Sequence, residues 1–171
     1  WKDHSSYEEA EEIIQISNQY NPEYLFPYGG RYYSEWFWAK LLHCSRVAPK
    51  VFDSAWTWVE ASDWIPAILT GIKSASEIRR NICASGHKGM FSPSWGGYPD
   101  SEFLSRLSPK LAELRKRLPN QAYASNQSLG GLSKEWAKKL GLKEGTPIAY
   151  GALDAHYGAV GSGIRPGRLV K

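Results

Sequence analysis

The stretch 146–163 constrains this chain more than any other. Thr146-Pro-Ile-Ala-Tyr150 is short and apolar and reads as a strand. Asp154 follows in a turn, and residues 155–162 read as a helix packed through small side chains. An acid between a strand and a helix is a feature of α/β folds, where ligands bind at the carboxyl ends of strands. Gly151, Gly158, Gly161 and Gly163 leave room for close approach to the backbone. The expected class is therefore α/β.

Three readings of Asp154 follow from its chemistry. It can act as a general base toward a substrate hydroxyl, ligate magnesium, or cap the following helix. His156 lies two residues on, but a zinc site needs three or four ligands, and His4, His43 and His87 show no ligand spacing. A hydrogen-bonding or core histidine is the simpler reading, and no metal site is expected. Gly158-Ala-Val-Gly161-Ser-Gly163 runs opposite to a dinucleotide fingerprint. A phosphate-binding Walker loop, His-Glu-x-x-His and Gly-x-Ser-x-Gly are also missing. Lys88 stands in a glycine-flanked segment, Ser85-Gly-His-Lys-Gly89. It can reach a hydroxyl or phosphate as a flexible point charge, or be an ordinary surface lysine.

Helix dominates the rest of the chain. Ser5 or Ser6 can cap an acidic first turn, in a helix that stops before Pro22. Ser34 is expected to cap a second helix with Phe37, Leu41, Cys44 and Ala48 on one face, ended by Pro49. Residues 51–55 read as one helical turn. Residues 56–60 have strand composition, and a helix follows over 61–69, with Pro66 near its start and Gly71 as its cap. Residues 72–90 favour neither helix nor strand. Residues 92–99 form a turn. Ser101 is expected to cap a helix that breaks at Pro109 and resumes to Leu118. Residues 120–131 are loop or edge strand, Ser133 caps a helix over 134–140, and Arg168-Leu-Val-Lys171 begins a strand.

The 171 residues suffice for one domain with a core, and 42% hydrophobic against 22% charged residues fits a globular protein. No apolar run approaches the roughly eighteen residues of a membrane span. The net charge of +4 sits on amphipathic stretches at 110–117 and 134–143, without a groove-entering element for nucleic acid. Two cysteines, Cys44 and Cys83, suggest a reducing compartment, with a single disulfide as the alternative. The aromatic content of 13% implies either a sugar-stacking surface or a core of large rings.

Five motifs occur in order: Tyr32-Tyr-Ser-Glu-Trp-Phe-Trp-Ala-Lys40, Trp58-Val-Glu-Ala-Ser-Asp-Trp-Ile-Pro-Ala-Ile-Leu-Thr-Gly71, Cys83-Ala-Ser-Gly-His-Lys88, Gly96-Gly-Tyr-Pro99 and Gly151-Ala-Leu-Asp-Ala-His-Tyr-Gly-Ala-Val-Gly161. Together they resemble the L-ribulokinase branch of the FGGY carbohydrate kinases, from Trp1 to Lys171. The resemblance implies an actin-like, ribonuclease-H-like kinase that transfers the γ-phosphoryl of MgATP to the 5-hydroxyl of L-ribulose. Asp154 matches the catalytic aspartate. Lys88 and Trp1 match sugar-contacting residues, and His156 follows the acid without an assigned role. A cytoplasmic enzyme without a nucleic-acid or membrane partner is expected, with a homodimer as one option for its assembly.

On that resemblance the chain is one partial domain, residues 1–171, of the N-terminal, sugar-binding part of the kinase. It lacks the Asp-x-Gly-Thr phosphate loop, the Gly-Thr-Ser loop and the C-terminal domain that bind most of the nucleotide. The isolated chain is expected to be inactive. Other FGGY kinases, acting on D-ribulose, xylulose or glycerol, share much of this pattern. A non-catalytic, aromatic-rich carbohydrate-binding module and an interaction domain with Asp154 as a mere cap are alternatives of other classes.

Overall fold

The computed structural model describes residues 2–168. In chain order these form α1 (Tyr7–Tyr20), a 3-10 stretch (Pro22–Tyr28), α2 (Phe37–Val47), α3 (Pro49–Ser54) and α4 (Ala61–Leu69). Strand β1 (Arg80–Asn81) leads directly into α5 (Ile82–Lys88), followed by α6 (Ser101–Leu107) and α7 (Pro109–Arg115). Strands β2 (Ala122–Tyr123) and β3 (Ser128–Gly131), helix α8 (Lys134–Leu140), strand β4 (Pro147–Ala149) and helix α9 (Asp154–Gly161) complete the order. Helix exceeds strand, and the mixture is compatible with the α/β class. Two compact units emerge: Trp1–Trp58 with Ser85–Asn120, and Val59–Ala84 with Gln121–Lys171.

The first unit is helical. Glu8 and Glu9 place negative charge at the positive end of α1, and Ala10 and Ile13 face the core. Ser6 precedes the helix but makes no side-chain cap bond. Helix α2 buries Phe37, Trp38, Leu41 and Leu42; of the expected face, Phe37 and Leu41 are buried, while Cys44 and Ala48 are half-buried. Its cap differs from expectation. The helix begins after Trp36, because the Ser34 hydroxyl is used elsewhere: it donates to Glu35 Oε2 at 3.0 Å and meets His4 Nδ1 at 3.1 Å. Pro49 ends α2 and also opens α3, where its missing N–H costs nothing. Residues 56–60 form no strand. Trp58 instead stacks on Phe52 at 5.7 Å, so its ring is spent on helix packing.

Asp100, rather than Ser101, caps α6, because a carboxylate is the stronger acceptor. It accepts from Phe103 N at 2.8 Å, Tyr24 Oη at 2.8 Å and Tyr20 Oη at 3.1 Å. One carboxylate thus ties α1 and the 3-10 stretch to α6. Desolvation works to raise the Asp100 pKa, but these donated bonds outweigh it and hold the carboxyl low. Tyr24 is pushed up to about 12, first by burial and then by the Asp100 bond. Its ring meets Phe103 and Trp95 edge-on at 5.0 and 5.1 Å.

The second unit is built on two small sheets. Strands β1 and β2 pair in parallel, Arg80 with Ala122 and Asn81 with Tyr123. Strands β3 and β4 pair antiparallel, with a register shift between Ser128 and Gly130. Pro66 lies inside α4 rather than near its start. The helix closes with Gly71 in the left-handed region at φ +84, its N–H donating to Ile68 O at 3.0 Å. Ser133 N donates to Leu69 O at 2.9 Å, which docks the start of α8 on the end of α4.

Residues 72–90 are more ordered than their composition suggests, and Asn81 is the reason. Its backbone N–H and Nδ2 donate to Asp63 Oδ1 at 2.7 and 2.6 Å, and Nδ2 also reaches Ser62 Oγ at 3.0 Å. Its Oδ1 accepts from Ala84 N at 2.7 Å, the bond of a helix cap. Fully buried Asn81 therefore starts α5 while holding β1 to α4. Arg80 Nη1 lies 3.7 Å from Asp63 Oδ2, with both side chains buried.

Burial pushes Asp63 up to about 6, against the bonds from Asn81 and the Arg80 charge. A carboxyl raised in the folded state binds its proton more tightly there than in the unfolded chain. Its stabilising contribution is full below about pH 4 and is lost as pH rises toward 6, by about 3 kcal/mol at most. Denaturant unfolding across pH 4–7 should show this decline, and Asp63→Asn should flatten it.

Candidate functional site

The sequence-selected residues lie on separate elements. Asp154 opens α9 in the second unit, and Lys88 ends α5 within the first. Trp1 lies outside the described residues, as do the last three residues of the strand expected from Arg168.

Lys88 ends a helix whose last carbonyls have no intrahelical partner, as at every helix C-terminus. Aromatic side chains supply the donors. Tyr28 Oη donates to Gly86 O and Tyr32 Oη to Lys88 O. Trp38 Nε1 donates to Gly89 O at 2.8 Å, and Trp95 Nε1 to Met90 O at 2.9 Å. Tyr32 Oη in turn accepts from Trp38 N at 3.0 Å. Burial pushes the Tyr28 phenol up, so it remains a donor. Gly89 has no room for a side chain: a Cβ would lie 2.7 Å from Tyr98 Cε1 and 2.9 Å from Ser85 O. Buried Met90 follows in the left-handed region at φ 55, rare for a residue with a side chain. The backbone around Lys88 is thus fixed on every side, and its half-buried side chain leaves from a rigid point.

Asp154 is held differently. Tyr150, immediately after β4, is buried and stacks on Tyr123 at 4.7 Å with 6° between planes. Gly151 follows because nothing larger fits: a Cβ there would lie 2.0 Å from Ser62 O of α4. The sequence reading of Gly151 as room for a ligand is therefore corrected, since that space is filled by α4. Gly158 and Gly161 do face open space. Leu153 takes the extended cap position, so Asp154 is the first helical residue and not the cap. Its side chain is exposed, and Oδ1 accepts from Ala155 N at 2.8 Å. An anionic carboxylate at a helix N-terminus suits the helix dipole and remains accessible to a ligand.

His156, without a role from sequence, has a partner. Its Nδ1 lies 2.6 Å from Cys83 Sγ, which also accepts from Leu153 N at 3.3 Å. Sequence reasoning missed this pair because its members stand 73 residues apart. It also missed Tyr28, Tyr32 and Trp38 as donors. The density of hydroxylated and indole rings over 24–38 was their signal.

A cavity of about 390 Å³ in the first unit is lined by residues including His4, Glu11, Arg31 and Glu35. Another of about 370 Å³ in the second unit lies beside Thr70, Glu77, Arg79 and Gly130. Neither is lined by Asp154 or Lys88. Among the described residues, no group of three or more His, Cys, Asp or Glu could hold a metal.

The chain aligns over its whole length with a ribulokinase of Vibrio parahaemolyticus, at 46% identity. The chain is homologous to the ribulokinases. Ribulokinases of Shouchella clausii and Bacillus licheniformis align over 99% of it at 40% and 36% identity. The chain spans about 30% of the length of each of these three curated relatives. No family model matches it. The resemblance read from the five motifs is thus borne out by full-chain similarity to ribulokinases.

Two substitutions probe the local geometry. Gly151→Ala should destabilise the protein by about 1–3 kcal/mol, since the backbone of α4 cannot yield as a side chain would. Tyr32→Phe removes a donor to Lys88 O and an acceptor for Trp38 N. It should cost about 1–3 kcal/mol for the buried groups left unpaired. Denaturant unfolding measures both.

Proposed function

We propose that this chain is the sugar-handling part of a larger ATP-dependent carbohydrate kinase, phosphorylating the 5-hydroxyl of L-ribulose. The observation that carries the reading is similarity over essentially all of this chain to part of the ribulokinases, at 46%, 40% and 36% identity. An actin-like, ribonuclease-H-like fold, with residues 1–171 as a partial domain, belongs to the same proposal, as does a cytoplasmic location.

Asp154 is the proposed general base. Phosphoryl transfer asks the protein for positioning and charge stabilisation more than for covalent chemistry. A carboxylate need only orient the attacking hydroxyl and accept its proton as the new O–P bond forms. The exposed carboxylate of Asp154, on the first residue of α9, supports that role. Lys88 would donate to sugar oxygens from a segment fixed by Tyr32 and Trp38. Trp1 would cover an apolar sugar face. MgATP would supply the phosphoryl group, and no residue of this chain is assigned to it.

The test uses the intact protein in a coupled assay of ADP release. Asp154→Asn should lower kcat with L-ribulose by about 10²–10⁴-fold while sugar binding is retained. Lys88→Met should chiefly raise KM for the sugar. Full activity in Asp154→Asn would overturn the assignment, and equal or faster turnover of D-ribulose, xylulose or glycerol would overturn the substrate.

A further inference from the structure

We propose that Cys83 is a reactive thiol, activated by His156, and a modification site for peroxides and soft electrophiles. Three observations meet there. Cys83 Sγ lies 2.6 Å from His156 Nδ1, within range for proton transfer. The Leu153 N–H points at the same sulfur at 3.3 Å and stabilises negative charge on it. Cys83 is half-buried and His156 exposed, so a small reagent can arrive.

The chemistry follows from that arrangement. In the tautomer protonated on Nε2, His156 Nδ1 accepts the thiol proton and leaves a thiolate, which is the nucleophilic form of cysteine. With hydrogen peroxide, the sulfur attacks one oxygen and the O–O bond breaks. The departing hydroxide takes the proton from the imidazolium and leaves as water. Cysteine is oxidised to the sulfenic acid, and the peroxide is reduced. With iodoacetamide, an S–C bond forms, iodide leaves with the electron pair of the C–I bond, and the imidazolium releases its proton to water.

Cys44 supplies an internal reference. It too is half-buried, on α2 of the other unit. The intact native protein is treated with limiting iodoacetamide, and the Cys83 and Cys44 peptides are quantified by mass spectrometry over time. Cys83 should react at least about tenfold faster than Cys44. In His156→Asn the Cys83 rate should fall at least about fivefold, with the Cys44 rate unchanged. Dimedone should trap a sulfenic acid on Cys83 after brief peroxide treatment. Comparable wild-type rates at the two cysteines overturn the proposal, as does a Cys83 rate insensitive to His156→Asn. If that variant unfolds, shown by a rise in the Cys44 rate, the wild-type ratio and dimedone trapping decide alone. None of these readouts depends on kinase activity.

Discussion

The second unit depends on one buried contact, between Asp63 and Asn81. A single amide satisfies a carboxylate, a serine hydroxyl and a helix N-terminus at once. That contact fixes the direction in which the chain leaves β1, and so where α5 begins. Cys83 sits in the first turn of that helix and Lys88 at its end. Removing the Asn81 side-chain amide would leave the buried Asp63 carboxylate with only the backbone N–H of its two close donors from this residue, which costs more than the loss of a surface bond.

The contrast between α5 and the other helices shows what a sequence displays. Helices α1, α2, α4 and α8 carry apolar stripes or flanking cap and breaker residues, and their ranges can be read from spacing. Helix α5 has Ala84, Ser85 and Gly86 in its middle, which erase periodicity. Its order comes from Asn81 at one end and from tyrosine and tryptophan donors at the other, 51 to 58 residues away in sequence. Two caps were displaced by one or two residues, because Asp100 outcompetes Ser101 and Ser34 is engaged by His4 and Glu35. Asp154 stood out locally, as an acid between a strand and glycines. The groups around it did not, since Cys83, Ser62 and Tyr123 come from distant parts of the chain.

The aromatic residues left two readings open, and the described residues favour the core. Trp38, Tyr24 and Phe103 are fully buried. Their polar atoms still matter, because the Trp38 indole and the Tyr28 and Tyr32 hydroxyls close off carbonyls that would otherwise need water. A ring that packs and donates at once lets a segment rich in glycine and serine hold one conformation without a hydrophobic stripe of its own.

Helix α9 buries none of its residues, and Val160 is 68% exposed. A helix of eight residues has little stability of its own in water. What secures it is concentrated near its start: Leu153 N–H on the Cys83 sulfur, Cys83 against His156, and Tyr157 Oη on Tyr150 O at 3.0 Å. The aim of the Asp154 carboxylate is therefore set by a few polar tethers rather than by a core. Small alterations to a tether redirect the acid without touching its chemistry, giving substitutions at positions 83, 156 and 157 a leverage that their modest burial would not suggest.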